Sequence, residues 1–212
     1  MDFRYLAKQF NNAPFNRQVM LDILKDYKRP NDKISELIKN GELISLKRGL
    51  YIPGRNTDLT PPEPFLIANY LWGPSYVSLE TALSYWGFIP ERVFEISSVT
   101  LKVSKKIKTS IGRFIYRFLP FPYYSFGIKS VELLPGQVAL IASAEKALFD
   151  KIICTAGLTL RSISQTRDFL IEDLRIDTEE LKKLNVEELS SWLLDVPIKE
   201  SLRILIKTLK KL

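Results

Sequence analysis

Leu37-Ile-Lys-Asn-Gly-Glu-Leu-Ile-Ser-Leu-Lys-Arg-Gly-Leu-Tyr-Ile-Pro53 is the stretch on which the fold turns. Its start closes a helix, and Gly41 supplies the left-handed stop. Two short apolar strands then flank Lys47-Arg48-Gly49, whose glycine permits a tight hairpin. Upstream, Ile34, Leu37 and Ile38 form a narrow apolar stripe, which predicts a helix with one buried face. Lys28-Arg29-Pro30-Asn31 interrupts the pattern, because proline disfavours helix in the residue before it. Before that break, Asn16 is placed as an N-cap. Val19, Met20, Ile23, Leu24 and Tyr27 then recur on one helical face. Phe3, Leu6, Ala7 and Phe10 predict a shorter helix of the same kind. Three helices followed by a hairpin with a basic tip is the order of a winged helix-turn-helix, expected over residues 1–54.

Charge points the same way. The net charge is +7. Residues 1–55 hold 11 Lys/Arg against 6 Asp/Glu, so most of the excess lies in the first quarter of the chain. A localised basic excess is the footprint of phosphate contacts. With Ile34, Leu37 and Ile38 inward, Lys33, Ser35 and Lys39 face outward, and such a polar helix suits the major groove. Arg29 and Asn31 stand at its N-terminal entrance, where recognition helices meet base edges. Lys47 and Arg48 on the hairpin are placed to reach phosphate or the minor groove. Double-stranded DNA is therefore the expected partner, with a winged helix used for protein contacts as the competing reading. Asp32 and Glu36 oppose phosphate unless they pair with a base amine or a neighbouring cation.

Residues 53–64 carry four of the twelve prolines and predict a stiff, extended connector, with 55–64 as the linker proper. Residues 65–212 then read as an α+β domain. An apolar helix is expected over Phe65–Trp72, and a second, capped by Ser78, through Leu79, Ala82, Leu83 and Trp86. Ile96–Val103 and Ile111–Leu119 read as strands. Val131–Leu134 and Val138–Ile141 form a hairpin about Pro135-Gly136. Ser143 caps a further helix, and everything after Ser164 looks helical. The expected sheet is small and mostly antiparallel. Between Glu95 and Glu132 the chain has seven basic residues and no acidic one. Arg113 and Arg117 share one strand face, with Phe114, Tyr116 and Phe118 on the other. Lys102, Arg113 and Arg117 are candidates for a partner-binding surface. The plainer reading, a half-buried strand with a solvated basic face, is favoured.

What is absent narrows the function. There is no histidine, which removes Ser-His-Asp and Cys-His catalysis and His-containing zinc sites. The single cysteine, Cys154, makes neither a disulfide nor a Cys₄ site. No glycine-rich phosphate-cradling motif occurs. Glu179-Glu180 and Glu187-Glu188 sit beside leucines at helical spacing and read as solvated helix faces. The chain is expected to be no enzyme, with no catalytic residue, metal or cofactor. No stretch is apolar enough to cross a bilayer, and the N-terminus has no signal-peptide pattern. One cysteine fits a reducing cytosol. A cytoplasmic protein without membrane partners is expected.

Three stretches carry a resemblance to a known family. Leu37–Pro53, ending in an Arg-Gly-x-Tyr pattern, is the first. Tyr76-Val-Ser-Leu-Glu-Thr-Ala-Leu-Ser-Tyr-Trp-Gly-Phe-Ile-Pro90, followed by the Thr100 strand and Gly112-Arg-Phe, is the second. Ile141-Ala-Ser-Ala-Glu-Lys-Ala-Leu-Phe-Asp150 is the third. In this order they resemble the AbiEi antitoxins of bacterial type IV toxin–antitoxin (abortive infection) systems. The resemblance implies a winged-helix transcriptional regulator that represses its own operon by binding promoter DNA. It also implies a C-terminal domain that opposes a nucleotidyltransferase-like toxin, which such antitoxins need not bind stably. Many relatives have a Tyr-His-Gly run where this chain has Trp86-Gly87, so no chemical role is expected there. Glu145 and Lys146 read as capping and surface pairing. A stand-alone winged-helix regulator with a sensing or partner-binding C-terminal domain is the alternative.

Overall fold

A computed structural model describes residues 3–9, 13–90 and 94–212. It is an α+β structure with two sheets and, among the described residues, ten α-helices. The N-terminal part runs α1 (Phe3–Lys8), β1 (Phe15–Asn16), α2 (Arg17–Ile23), α3 (Pro30–Lys39), β2 (Leu43–Lys47) and β3 (Leu50–Pro53). Phe10, expected in the first helix, lies outside the described residues. Asn16 caps α2 as expected, its side chain accepting from the Val19 amide at 2.9 Å. β1 and β2 both pair antiparallel with β3. Phe3, Ala7, Phe15, Met20, Leu24, Ile34 and Leu37 bury together between these elements. Ile38 departs from expectation. It stays 38% exposed, because the stripe of α3 is only wide enough to bury Ile34 and Leu37.

The connector is strapped down. Gly54 donates to the Glu42 carbonyl and Asn56 to that of Gly41, while Leu59 buries in the N-terminal core. A Cβ on Gly54 would stand 2.1 Å from the Gly41 oxygen, so only glycine fits this crossing. At the far end, the Glu63 amide donates to the Gln137 side chain at 2.7 Å.

The second part comprises α4 (Pro64–Leu71), β4 (Ser75–Val77), α5 (Leu79–Tyr85), β5 (Glu95–Thr100), β6 (Lys105–Thr109), β7 (Gly112–Phe118), β8 (Ile128–Leu134), β9 (Gln137–Ala142) and α6 (Ala144–Cys154). α7 (Ile163–Asp168), α8 (Thr178–Lys182), α9 (Val186–Ser191) and α10 (Lys199–Leu209) complete it. The six-stranded sheet has the order β6-β7-β5-β4-β9-β8. It is mixed rather than mostly antiparallel: β5 runs parallel to β7 and β4 parallel to β9. Two strands of this sheet were not expected from the sequence, for local reasons. β4 is three residues long and wholly buried, too short to alternate. β6, Lys-Lys-Ile-Lys-Thr, is a charged edge strand, the composition that discourages edge-to-edge pairing.

The hairpin belongs to both parts. Leu43 packs into the N-terminal core. Leu46, Leu50 and Ile52 join the large core that also holds Leu71, Tyr76, Phe114 and Phe149. The three-stranded sheet, which lies wholly before residue 54, therefore serves a different core with each face and ties the N-terminal part to the second.

Candidate nucleic-acid interface

α3 begins at Pro30, which is preorganised for a first helical turn, and ends at Lys39, with Asn40 as its C-cap before Gly41 at φ +70°. Arg29, Asn31, Ser35 and Lys39 are all exposed on it. Arg29 approaches Asp32 at 3.7 Å, both well exposed. The Ser35 hydroxyl donates back to the Asn31 carbonyl at 3.1 Å. Lys33 is engaged more closely. It donates to Glu36 at 2.7 Å and lies 5.5 Å from the Tyr27 ring centroid. The bond to Glu36 raises its pKa, partly offset by burial. Glu36 thus has a neighbouring cation.

At the hairpin, Arg48 is exposed beside Gly49 at φ +77°. Lys47 turns away from it. Its ammonium donates to the Leu71 carbonyl at 2.5 Å, at the last residue of α4 where carbonyl oxygens are unpaired and the helix dipole is negative. Burial, then repulsion from Lys102 and Lys105, lowers its pKa. Lys102 and Lys105 lie over the Trp72 ring, 5.1 and 4.2 Å from its centroid, and the Trp72 indole donates to the Val103 carbonyl at 3.2 Å. Three lysines thus meet at one seam between hairpin and second sheet. Lys105 was visible in the sequence as part of the basic run, but only the fold brings it beside Lys47.

Lys102, Arg113 and Arg117 do not form one surface. On β7, Phe114 and Tyr116 are buried, with the Tyr116 hydroxyl donating to Ala68 of α4 at 2.8 Å. Arg113 and Arg117 therefore project from the opposite sheet face, while Lys102 sits at the α4 end. Arg113 pairs with Glu95 at 3.1 Å. Phe118, expected to bury with Phe114 and Tyr116, is 48% exposed at the strand end.

The third resembling segment holds a buried polar cluster. Lys146 and Asp150 are 0% exposed and 3.1 Å apart. Asp150 accepts from Tyr76 at 3.0 Å, Ser78 at 2.7 Å and Tyr123 at 2.7 Å. Lys146 donates to the Tyr123 carbonyl at 2.9 Å and sits 3.1 Å from that ring's centroid. Burial lowers its pKa to about 8 against the pull of Asp150. Lys146 is therefore no surface residue, correcting the sequence reading: in α6 it falls on the buried face with Ala147 and Asp150. Ser78 occupies the N-cap position of α5 without making the cap bond, because its hydroxyl goes to Asp150. Ser143 does cap α6, accepting from the Lys146 amide at 3.2 Å.

Among the described residues, no group of three or more His, Cys, Asp or Glu is placed to hold a metal ion. No helix among them is long and apolar enough to cross a membrane. No family model matches the chain, and no curated protein matches it. Among solved structures, the chain is similar to the RV2827C protein from Mycobacterium tuberculosis, with a TM-score of 0.62 at 13% identity. The match covers 97% of this chain and 76% of that one. At that identity the likeness speaks to the fold alone.

Proposed function

We propose that the chain is a winged-helix transcriptional repressor of the antitoxin type, acting in the cytoplasm and without enzymatic activity. α3 reads the major groove of its own promoter and the β2–β3 hairpin serves as the wing. The second domain opposes a nucleotidyltransferase-like toxin. The observation that carries the DNA reading is the element order α1-β1-α2-α3-β2-β3 with Arg29, Asn31, Ser35 and Lys39 exposed along α3. The antitoxin assignment rests on the resemblance of Leu37–Pro53, Tyr76–Pro90 and Ile141–Asp150 to the AbiEi family. Arg29, Lys39 and Arg48 are the principal phosphate contacts in this reading. Lys33 contributes less because Glu36 holds it, and Lys47 contributes from the seam with Lys102.

Gel shifts of promoter DNA at two salt concentrations test this. Lys39→Ala/Arg48→Ala is expected to weaken binding to all sequences alike and to reduce the salt slope by about two, roughly one per lost phosphate contact. Asn31→Ala is expected to relax specificity at one base position, costing about 1–3 kcal/mol. Wild-type affinity and slope in the double variant would leave the protein-contact use of this fold in place of the DNA reading. Co-expression with the neighbouring toxin gene tests the antitoxin half, which fails if the full chain gives no protection.

A further inference from the structure

The sheet face bearing Arg117 opens into a cleft of about 790 Å³, within the range of small-molecule sites. Ser97, Ile115 and Arg117 form its floor on β5 and β7. Leu79 and Glu80 at the start of α5, and Lys151 and Cys154 toward the end of α6, form two walls. Ile89, Phe94, Asp173 and Leu174 close the rim.

The charges in the cleft are unequally committed. Lys151 is paired with Glu80 and Glu95 with Arg113. Arg117 has no ion pair or side-chain hydrogen bond among the described residues, and its charge is felt at the Cys154 thiol in the wall. An unpaired guanidinium beside Ser97 and Ile115 is a fork for phosphate or carboxylate. The backbone adds a second sign. Leu79 holds φ +54°, a conformation that L residues avoid and that clusters at ligand sites. It follows Ser78, whose hydroxyl is spent on Asp150 instead of capping α5.

We infer that this cleft binds a nucleoside phosphate. The phosphate lies on Arg117, and the Asp173 carboxylate and Ser97 hydroxyl receive sugar hydroxyls. The flat base rests against Ile115 and Ile89, with the Phe94 ring, 89% exposed, available to stack on it. The site stands apart from α3, so it holds whether or not the DNA reading does.

The experiment uses the full chain and two readouts. Titration calorimetry with AMP, ATP, GTP, CTP, UTP and inorganic phosphate measures affinity. Alkylation of Cys154, the chain's one cysteine, followed by mass, reports occupancy, because its thiol stands in the cleft wall. At least one nucleotide is expected to bind one-to-one, to slow alkylation, and to bind more tightly than phosphate alone. Arg117→Ala should weaken it at least about tenfold, the scale of a lost charge-assisted fork. Arg117→Lys, which keeps the charge and loses the fork, should fall between and replaces the alanine variant if that one misfolds. No saturable nucleotide binding, equal binding of inorganic phosphate, unchanged alkylation, or wild-type affinity in the Arg117 variants would each overturn the inference.

Discussion

The two parts of the molecule treat charge in opposite ways. Before Ser75, no polar or charged side chain is buried among the described residues. Most charges on and beside α3 stand in solvent, like Lys39 or the loose pair of Arg29 and Asp32, and Lys33 with Glu36 is the closer pair. In the second part, Lys146 and Asp150 are wholly buried, and every polar atom they offer is used by Tyr76, Ser78, Tyr123 or each other. Exposed charges cost the fold little and remain available to a partner. A buried pair repays its desolvation only when fully satisfied, and then it fixes how its neighbours pack. The first pattern suits a surface that reads a ligand, and the second holds a domain in one arrangement.

Breaking the buried cluster should have the largest effect. Asp150→Ala leaves Lys146 without its counter-charge and three hydroxyls without their acceptor. It should destabilise the protein by about 3–5 kcal/mol in urea denaturation, as for other broken buried pairs. Replacing both partners together, as Lys146→Met/Asp150→Leu, should cost less than the single change. A cost for Asp150→Ala no larger than that of Lys39→Ala, expected within about 0.5 kcal/mol, would erase the contrast.

A pH series sharpens it. Lys146 titrates near 8 in the folded chain against an ordinary 10.5, so the unfolded state binds more protons across that window. Its contribution to stability therefore rises from about pH 8 toward 10.5 and is lost as pH falls through 8. Tyr76 and Tyr123 are pushed well above the usual value of 10.0, chiefly by burial, so their contribution falls once pH passes 10. Burial also pushes the Cys154 thiol from 9.0 up to about 12, which opposes the climb once pH passes 9. Denaturation midpoints should climb from about pH 7.5 to 9, level off, and drop beyond 10. Lys146→Met should flatten the climb, and a climb that persists in this variant would sink the assignment.

On the exposed side, paired and unpaired cations should separate. Lys39→Ala is expected to reduce the salt slope of promoter binding by about one, and Lys33→Ala by less, because Glu36 and Tyr27 already hold its ammonium. Equal slopes would mean that DNA pulls Lys33 from Glu36. The smallest effect belongs to helix-surface pairs such as Arg203 with Glu200. Arg203→Ala should shift stability by no more than about 0.5 kcal/mol.

Local signals were legible where one residue acts on its near neighbours. Asn16 and Ser143 cap their helices as read, Gly41 and Gly49 adopt the positive φ their turns require, and the alternation along β7 separates Phe114 and Tyr116 from Arg113 and Arg117. Signals were not legible where the partner is distant in sequence. Ser78 looks like a cap until Asp150 arrives 72 residues later. Lys146 looks like a surface lysine until Tyr123 and Asp150 enclose it. Lys47 looks like a wing-tip cation until the end of α4 supplies Leu71.

By itself, the sequence determined the helices and hairpin of the N-terminal part, the basic excess there, and the absence of histidine chemistry. These follow from periodicity, turn residues and composition, all properties of short windows. Tertiary structure decided that the larger sheet is mixed, that the hairpin serves two cores, and that Arg117 lines a cleft while Lys102 joins Lys47. Each of these depends on strands brought together across tens of residues, and a chain's local preferences carry no record of which distant segment will lie beside them.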